Sequence, residues 1–283
     1  MGKFLESSGV AGGQFGYRPR ISQKAAKFAP VPELQAPRRS ETGKFLESEA
    51  LKARFVHSHP LCRQKIVILP PPVDTVRFRP SKLLREAIRK ELGIPEAMKV
   101  ILGVGRLDSN KSYATLVEAM GLLKRQDCIV MIAGQGREEL RLKQTALRVG
   151  VLDRLRLIGV RGDIEAVYAG ADIFAHPSVL ESYAYVVLEA MSVGLPCIVS
   201  RASTVGISGD LTDGSNALLA DPHDPQDWAN QISRLLAQPD YSADISRRAR
   251  RFCELRPGLP ARARRMLSEL GIHHDVNSTH HLA

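Results

Sequence analysis

Between residues 65 and 240, short apolar runs alternate with amphipathic stretches, and this alternation constrains the fold more than any other feature of the chain. Lys99-Val-Ile-Leu-Gly-Val104 reads as a strand, followed by a helix over residues 113–125. Cys128-Ile-Val-Met-Ile-Ala133 reads as a second strand, followed by a charged helix over residues 138–149. The pattern continues with strands at 154–158, 172–176, 196–200 and 217–220, and with helices near 163–169, 184–193 and 225–236. Apolar runs without polar alternation belong to strands covered on both faces, and the helices between them supply the right-handed crossovers of a parallel sheet. The expected fold class is therefore α/β, a Rossmann-like doubly wound parallel sheet. Its ligands should bind outside the carboxyl ends of the strands.

The flanks look different. Residues 1–62 form a segment of unclear fold, 63–240 the sheet domain, and 241–283 a basic helical tail. The glycine-rich stretch 9–16 and the proline-bearing stretch 29–39 argue for loops. The string Gly-Lys-Phe-Leu-Glu-Ser occurs at 2–7 and again at 43–48, two copies that do not make a repeat fold.

Formal net charge over the 283 residues is +10, concentrated in the first sixty residues and in 247–265. Such an excess suits an anionic ligand or surface. The arginine-rich tail reads as a solvated helix face, and without an accompanying motif nucleic acid is not an expected partner. The four cysteines are widely spaced with no CxxC pair, which fits a reducing cytoplasmic setting. No apolar run approaches the roughly 20 residues needed to span a bilayer. Peripheral contact with an anionic membrane remains compatible with the charge.

Candidate site residues lie at the strand ends. The first strand runs into Gly105 and Arg106, with Lys111 close behind. Two cations at one strand exit suit a diphosphate, which arginine binds bidentately, and a glycine lets backbone approach the ligand. Taken alone, such cations are more often solvated. The second strand ends at Gly134, a turn residue or part of a nucleotide-facing loop. His176 ends the fourth strand, as a ligand contact or a satisfied structural histidine. The most informative segment runs from His176 to Met191 and carries Glu181 and Glu189. Their spacing is about 12 Å along a helix, roughly the distance from hexose to ribose in a sugar nucleotide. Between them, the amides near Tyr185 and Val186 open a helix whose positive end suits phosphate. Glutamates at this spacing also arise by chance.

In sequence order, these motifs resemble the C-terminal donor-binding domain of the retaining GT-B glycosyltransferases with the E-x7-E signature. The resemblance begins at Val67-Ile-Leu-Pro-Pro-Pro-Val-Asp74 and Phe78-Arg-Pro80. It continues through Val104-Gly-Arg-Leu107 with Lys111 and Ile132-Ala-Gly-Gln-Gly136. Glu181 to Glu189, Gly194-Leu-Pro196 and Asp213-Gly-Ser-Asn216 complete it. It implies transfer of a hexose, with retention, from a UDP- or GDP-sugar to a glycan or lipid acceptor, as in polysaccharide biosynthesis. The sugar nucleotide is the co-substrate, and no metal or other cofactor is expected. Arg106, Lys111 and Glu181 would be catalytic. Gly105, Gly134, His176, Ser182, Tyr185, Val186 and Glu189 would bind substrate, with Glu189 on the ribose. The base should lie near residues 158–161.

The sequence departs from the family at Ser182 and Ala184, which replace glycines. It departs again at 205–209, where a G-G-x-P-E segment is expected and Asp210 stands adjacent, and at Pro71-Pro72, which replace Asn-Gly. Fewer than about 65 residues precede the matching region, too few for the acceptor-binding Rossmann domain of a complete enzyme. Three readings follow: a glycosyltransferase; the donor-binding subunit of a split enzyme, completed by a separate acceptor polypeptide or a homo-oligomer; or an inactive sugar-nucleotide-binding module.

Overall fold

The computed structural model describes residues 44–61, 65–181, 183–202 and 206–272. The loops expected at 9–16 and 29–39, the first copy of the repeated hexapeptide, and Ser182 lie outside these residues. The second copy of the hexapeptide forms β1 (Lys44–Leu46) and leads into α1 (Glu49–Ser58), whose N-cap Ser48 accepts from Leu51 N at 3.2 Å. β1 pairs in parallel with β2 (Ile66–Ile68). A further helix, α2 (Lys82–Glu91), is capped by Ser81.

The main sheet contains β3 (Lys99–Val104), β4 (Cys128–Ala133), β5 (Leu155–Leu157), β6 (Ile173–His176), β7 (Cys197–Ser200) and β8 (Leu218–Ala220). The strands are all parallel in the order β5-β4-β3-β6-β7-β8. The helices α3 (Tyr113–Leu122), α4 (Glu139–Arg148), α5 (Ile164–Ala169), α6 (Tyr185–Val193) and α7 (Pro225–Ala237) connect or flank the strands. α8 (Pro239–Glu254) and α9 (Leu259–Glu269) form the basic C-terminal helices. This is the doubly wound Rossmann-like sheet that the alternation predicts.

Alternate residues of each strand feed opposite faces, which is why the strands read as unbroken apolar runs. Val100, Leu102, Met131 and Phe174 pack against Ile88, Tyr168, Leu188 and Met191, which belong to α2, α5 and α6. Ile101, Val130, Ile132 and Ile198 pack against Leu116, Met120, Leu142 and Trp228, which belong to α3, α4 and α7. Gly103 makes room for the Tyr113 ring, since a Cβ there would stand 2.7 Å from Tyr113 Cε1.

α2 is held by the packing of Leu84 and Ile88 and by charge. Arg89 is 2% exposed and donates to the carbonyls of Gly170 (2.9 Å) and Pro95 (2.7 Å) and to Asp172 Oδ2 (3.3 Å). Asp172 also accepts from Val100 N at 2.8 Å and from Arg85 at 3.1 Å. A buried guanidinium is tolerated because carbonyls and a carboxylate replace its water. Among the described residues, no helix is long and apolar enough to cross a membrane.

Candidate functional site

The chain winds outward from β3 to β5, then returns to place β6 on the other side of β3. β3 and β6 are therefore neighbours whose following loops diverge, and the crevice between those loops is the expected ligand position. The two loops are stitched together. Asn110 O accepts from Ser178 Oγ at 3.0 Å and from Val179 N at 2.8 Å.

This stitching brings Lys111 to Glu181, and Lys111 Nζ donates to Glu181 Oε2 in a close ion pair. Both side chains are mostly buried, at 14% and 22% exposure. His176 closes the cluster from beneath, with Nε2 3.9 Å from Glu181 Oε2 and no hydrogen-bond partner. Burial above all, then the charge of Lys111, push the His176 pKa down to about 3. The ring is therefore neutral at physiological pH, and its contact with Glu181 is not an ion pair. Tyr113 is also fully buried, and its hydroxyl has no hydrogen-bond partner. A Cβ on Gly105 would meet that hydroxyl at 3.0 Å and Lys111 Cε at 3.3 Å. Two buried polar atoms without partners in one crevice are unusual in a native interior and suit a polar ligand.

Gly105 and Gly134 both take positive φ, at 149° and 147°. They bring two loops into backbone contact, since a Cβ on Gly134 would stand 1.9 Å from Gly105 O. Gly134 N donates to Gly159 O at 2.7 Å. Beside them opens a cleft of about 570 Å³, lined by Val104, Gly105, Gly134, Gln135, Val160 and Arg161 among others. Arg106 borders this cleft. Its side chain is 83% exposed and lies 3.2 Å from Asp108 Oδ2.

α6 opens at Tyr185 behind Ala184, a residue with φ 68° and ψ 66°. First-turn amides such as those of Tyr185 and Val186 have no partner within their own helix. Farther along α6, Glu189 Oε2 accepts from Tyr168 Oη at 2.8 Å. Burial raises the Glu189 pKa, opposed by the Tyr168 hydrogen bond and the charge of Arg77. Arg77 itself pairs with Glu165 at 2.9 Å.

The structure thus gathers Lys111, Glu181, His176 and Gly105 at one point, with Gly134 and Arg106 beside the adjoining cleft and Tyr185, Val186 and Glu189 along α6. Sequence reasoning missed Tyr113 and Tyr168. Both are buried aromatics that read as core, and only the fold reveals where their hydroxyls lie. Among the described residues, no group of three or more His, Cys, Asp or Glu side chains could hold a metal ion.

The fold superposes on Anabaena Alr3699/HepE in complex with UDP with a TM-score of 0.76 at 22% identity, covering 81% of this chain and 64% of that one. It also matches the C-terminal domain of a glycosyl transferase group 1 family protein (LpcC) from Francisella tularensis. There the TM-score is 0.59 at 21% identity, covering 66% of this chain and 99% of that domain. The described fold is thus a single GT-B-type domain. Residues 85–252 match the sequence profile of Glycosyl transferases group 1, and the chain belongs to that family.

Among relatives in sequence, the D-inositol 3-phosphate glycosyltransferase of Saccharomonospora viridis is 34% identical over 197 residues, 65% of this chain and 45% of that protein. The protein of the same name from Nocardia farcinica is 30% identical over 222 residues, 74% of this chain and 48% of that protein. The chain thus spans less than half the length of these relatives.

Proposed function

We propose that this chain is the donor-binding half of a glycosyltransferase, holding a UDP- or GDP-hexose whose sugar passes, with retention, to an acceptor bound elsewhere. The observation that carries this reading is the Lys111–Glu181–His176 cluster at the divergence of β3 and β6. Glu181 is suited to the sugar hydroxyls, because a carboxylate accepts several hydrogen bonds. Lys111 and Arg106 face the diphosphate, together with the first-turn amides of α6 at Tyr185 and Val186. As the glycosidic bond breaks, negative charge grows on the departing diphosphate, and fixed positive groups lower the barrier. Glu189 takes the ribose. The base occupies the cleft beside Gly134, Val160 and Arg161. The neutral His176, through its unpartnered Nε2, offers a hydrogen bond to the sugar or phosphate.

The donor-half reading is preferred over a complete enzyme because the family resemblance and the described fold account for one GT-B-type domain. The acceptor side then comes from a separate polypeptide, a second copy or a further segment. Sequence similarity to the D-inositol 3-phosphate glycosyltransferases supports a family donor chemistry, while the acceptor is left to that other half.

Calorimetric titration with UDP, GDP, UDP-glucose and GDP-mannose, followed by an assay for release of the nucleoside diphosphate, tests the proposal. Binding with little turnover supports a donor half. Sustained transfer by the chain alone would instead make it a complete enzyme, and no binding would leave it an inactive family member.

A further inference from the structure

Tyr183 stands two residues beyond Glu181 and is fully buried. Its hydroxyl donates to Asp210 Oδ2 and accepts from Arg256 Nη2 at 2.6 Å. Asp210 and Arg256 are themselves 3.8 Å apart. Arg256 follows the end of α8 and lies outside the family match at 85–252. Its Nε donates to Pro71 O at 3.2 Å, and its guanidinium lies 5.0 Å from the Phe252 ring centroid. The 3-10 turn Gly206–Asp210 grips the same loop from its other end, where Gly206 N donates to Glu181 O at 3.3 Å. Gly206 O in turn accepts from the buried Ser48 Oγ at 3.4 Å.

Two segments distant in sequence, 206–210 and Arg256, therefore hold the loop that carries Glu181, and Ser48 and Pro71 brace them in turn. Packing alone does not require this chemistry, because a phenylalanine ring would fill the same space as Tyr183. A buried ion pair is also weak support for stability, since its desolvation offsets most of its attraction. What the network does supply is direction. A phenol that donates to a carboxylate and accepts from a guanidinium is held in one orientation, and satisfied buried networks rigidify their surroundings. Burial first, then Asp210, raise the Tyr183 pKa, so the hydroxyl keeps its proton and remains a donor.

On the donor-site reading above, we propose that Arg256 and Asp210, acting through the Tyr183 hydroxyl, are positioning residues for Glu181. The end of α8 thereby sets how well the site distinguishes a sugar nucleotide from the bare nucleoside diphosphate. Glu181 faces the sugar, so a loosened loop weakens the sugar contacts and spares those to the diphosphate and base.

The test compares the full chain with Tyr183→Phe, Arg256→Met and the conservative Arg256→Lys, titrated with UDP, GDP, UDP-glucose and GDP-mannose. Tyr183→Phe and Arg256→Met should lose about tenfold in affinity for the sugar nucleotide that the native chain prefers, the scale of one charge-assisted hydrogen bond. Affinity for the matching nucleoside diphosphate should stay within about twofold, and Arg256→Lys should recover part of the loss. An equal loss for both ligands, or an unchanged ratio, would overturn the proposal. Amide hydrogen exchange over residues 183–187 gives a readout that needs no ligand. Exchange there should rise about tenfold in Tyr183→Phe while β4 keeps its protection, and unchanged exchange would also overturn the proposal. If the native chain binds none of the four ligands, the donor-site reading falls, and the positioning role is decided by exchange alone.

Discussion

Lys111 and Glu181, 70 residues apart in the chain, meet in one ion pair where β3 and β6 diverge. Each neutralises the other, so the pair adds little net charge to the crevice. A diphosphate entering beside Lys111 would draw on that cation and leave the carboxylate to sugar hydroxyls. Lys111→Met should therefore weaken nucleoside diphosphate affinity about tenfold to a hundredfold, the scale of a charged hydrogen bond. Calorimetry with UDP and GDP would read this, and unchanged affinity would remove Lys111 from the phosphate site.

Arg106 should behave differently. Its pair with Asp108 is exposed, so Arg106→Ala should change unfolding free energy by less than about 0.5 kcal/mol. Nucleoside diphosphate affinity should nevertheless fall. A large stability loss with intact binding would assign Arg106 a structural role.

His176 makes stability depend on pH. Its folded pKa of about 3 lies well below the ordinary histidine value of 6.5, so the unfolded chain binds the extra proton between them. The sign follows: this stability is fully present above about pH 6.5 and is lost as pH falls toward the folded value, by up to about 1.4 kcal/mol per pH unit. Denaturant unfolding between pH 5 and 7 should show a shallower slope for His176→Gln than for the native chain. Identical slopes would mean that the native histidine is solvated.

Backbone geometry gives two opposite expectations. Ala184 holds φ 68°, so Ala184→Gly should stabilise the fold by about 1 kcal/mol by removing left-handed strain. Gly134→Ala should destabilise it by about 3 kcal/mol or more, because the new Cβ would strike Gly105 O and the backbone is unsuited to a side chain. Thermal melts of both variants check the pair.

How much of this could be read from the sequence depended on the kind of burial. The strand cores at Lys99–Val104 and Cys128–Ala133 were legible to the residue, because burial on both faces demands unbroken apolar runs. α2 was not read, although Leu84, Ile88 and Leu92 recur every four residues on its core-facing side; Arg89, buried on carbonyls and Asp172, adds charge to that face. Strand-end positions pointed to Lys111, His176 and Glu181, and the topology brings these three side chains together. Spacing grouped Arg106 with Lys111; in the fold the exposed Arg106 side chain lies beside Asp108 at the edge of the cleft. The contact of Tyr183 with Asp210 and Arg256 joins segments whose proximity exists only in the folded chain.

On the proposed reading, the crevice holds a sugar nucleotide through Glu181. Titrating the native chain and Glu181→Gln with UDP-glucose and GDP-mannose tests it most directly. The native chain should bind one of them more tightly than its bare nucleoside diphosphate, and Glu181→Gln should remove this preference while the fold stays intact. A native chain that binds neither, or a Glu181→Gln variant that keeps the full preference, would contradict it.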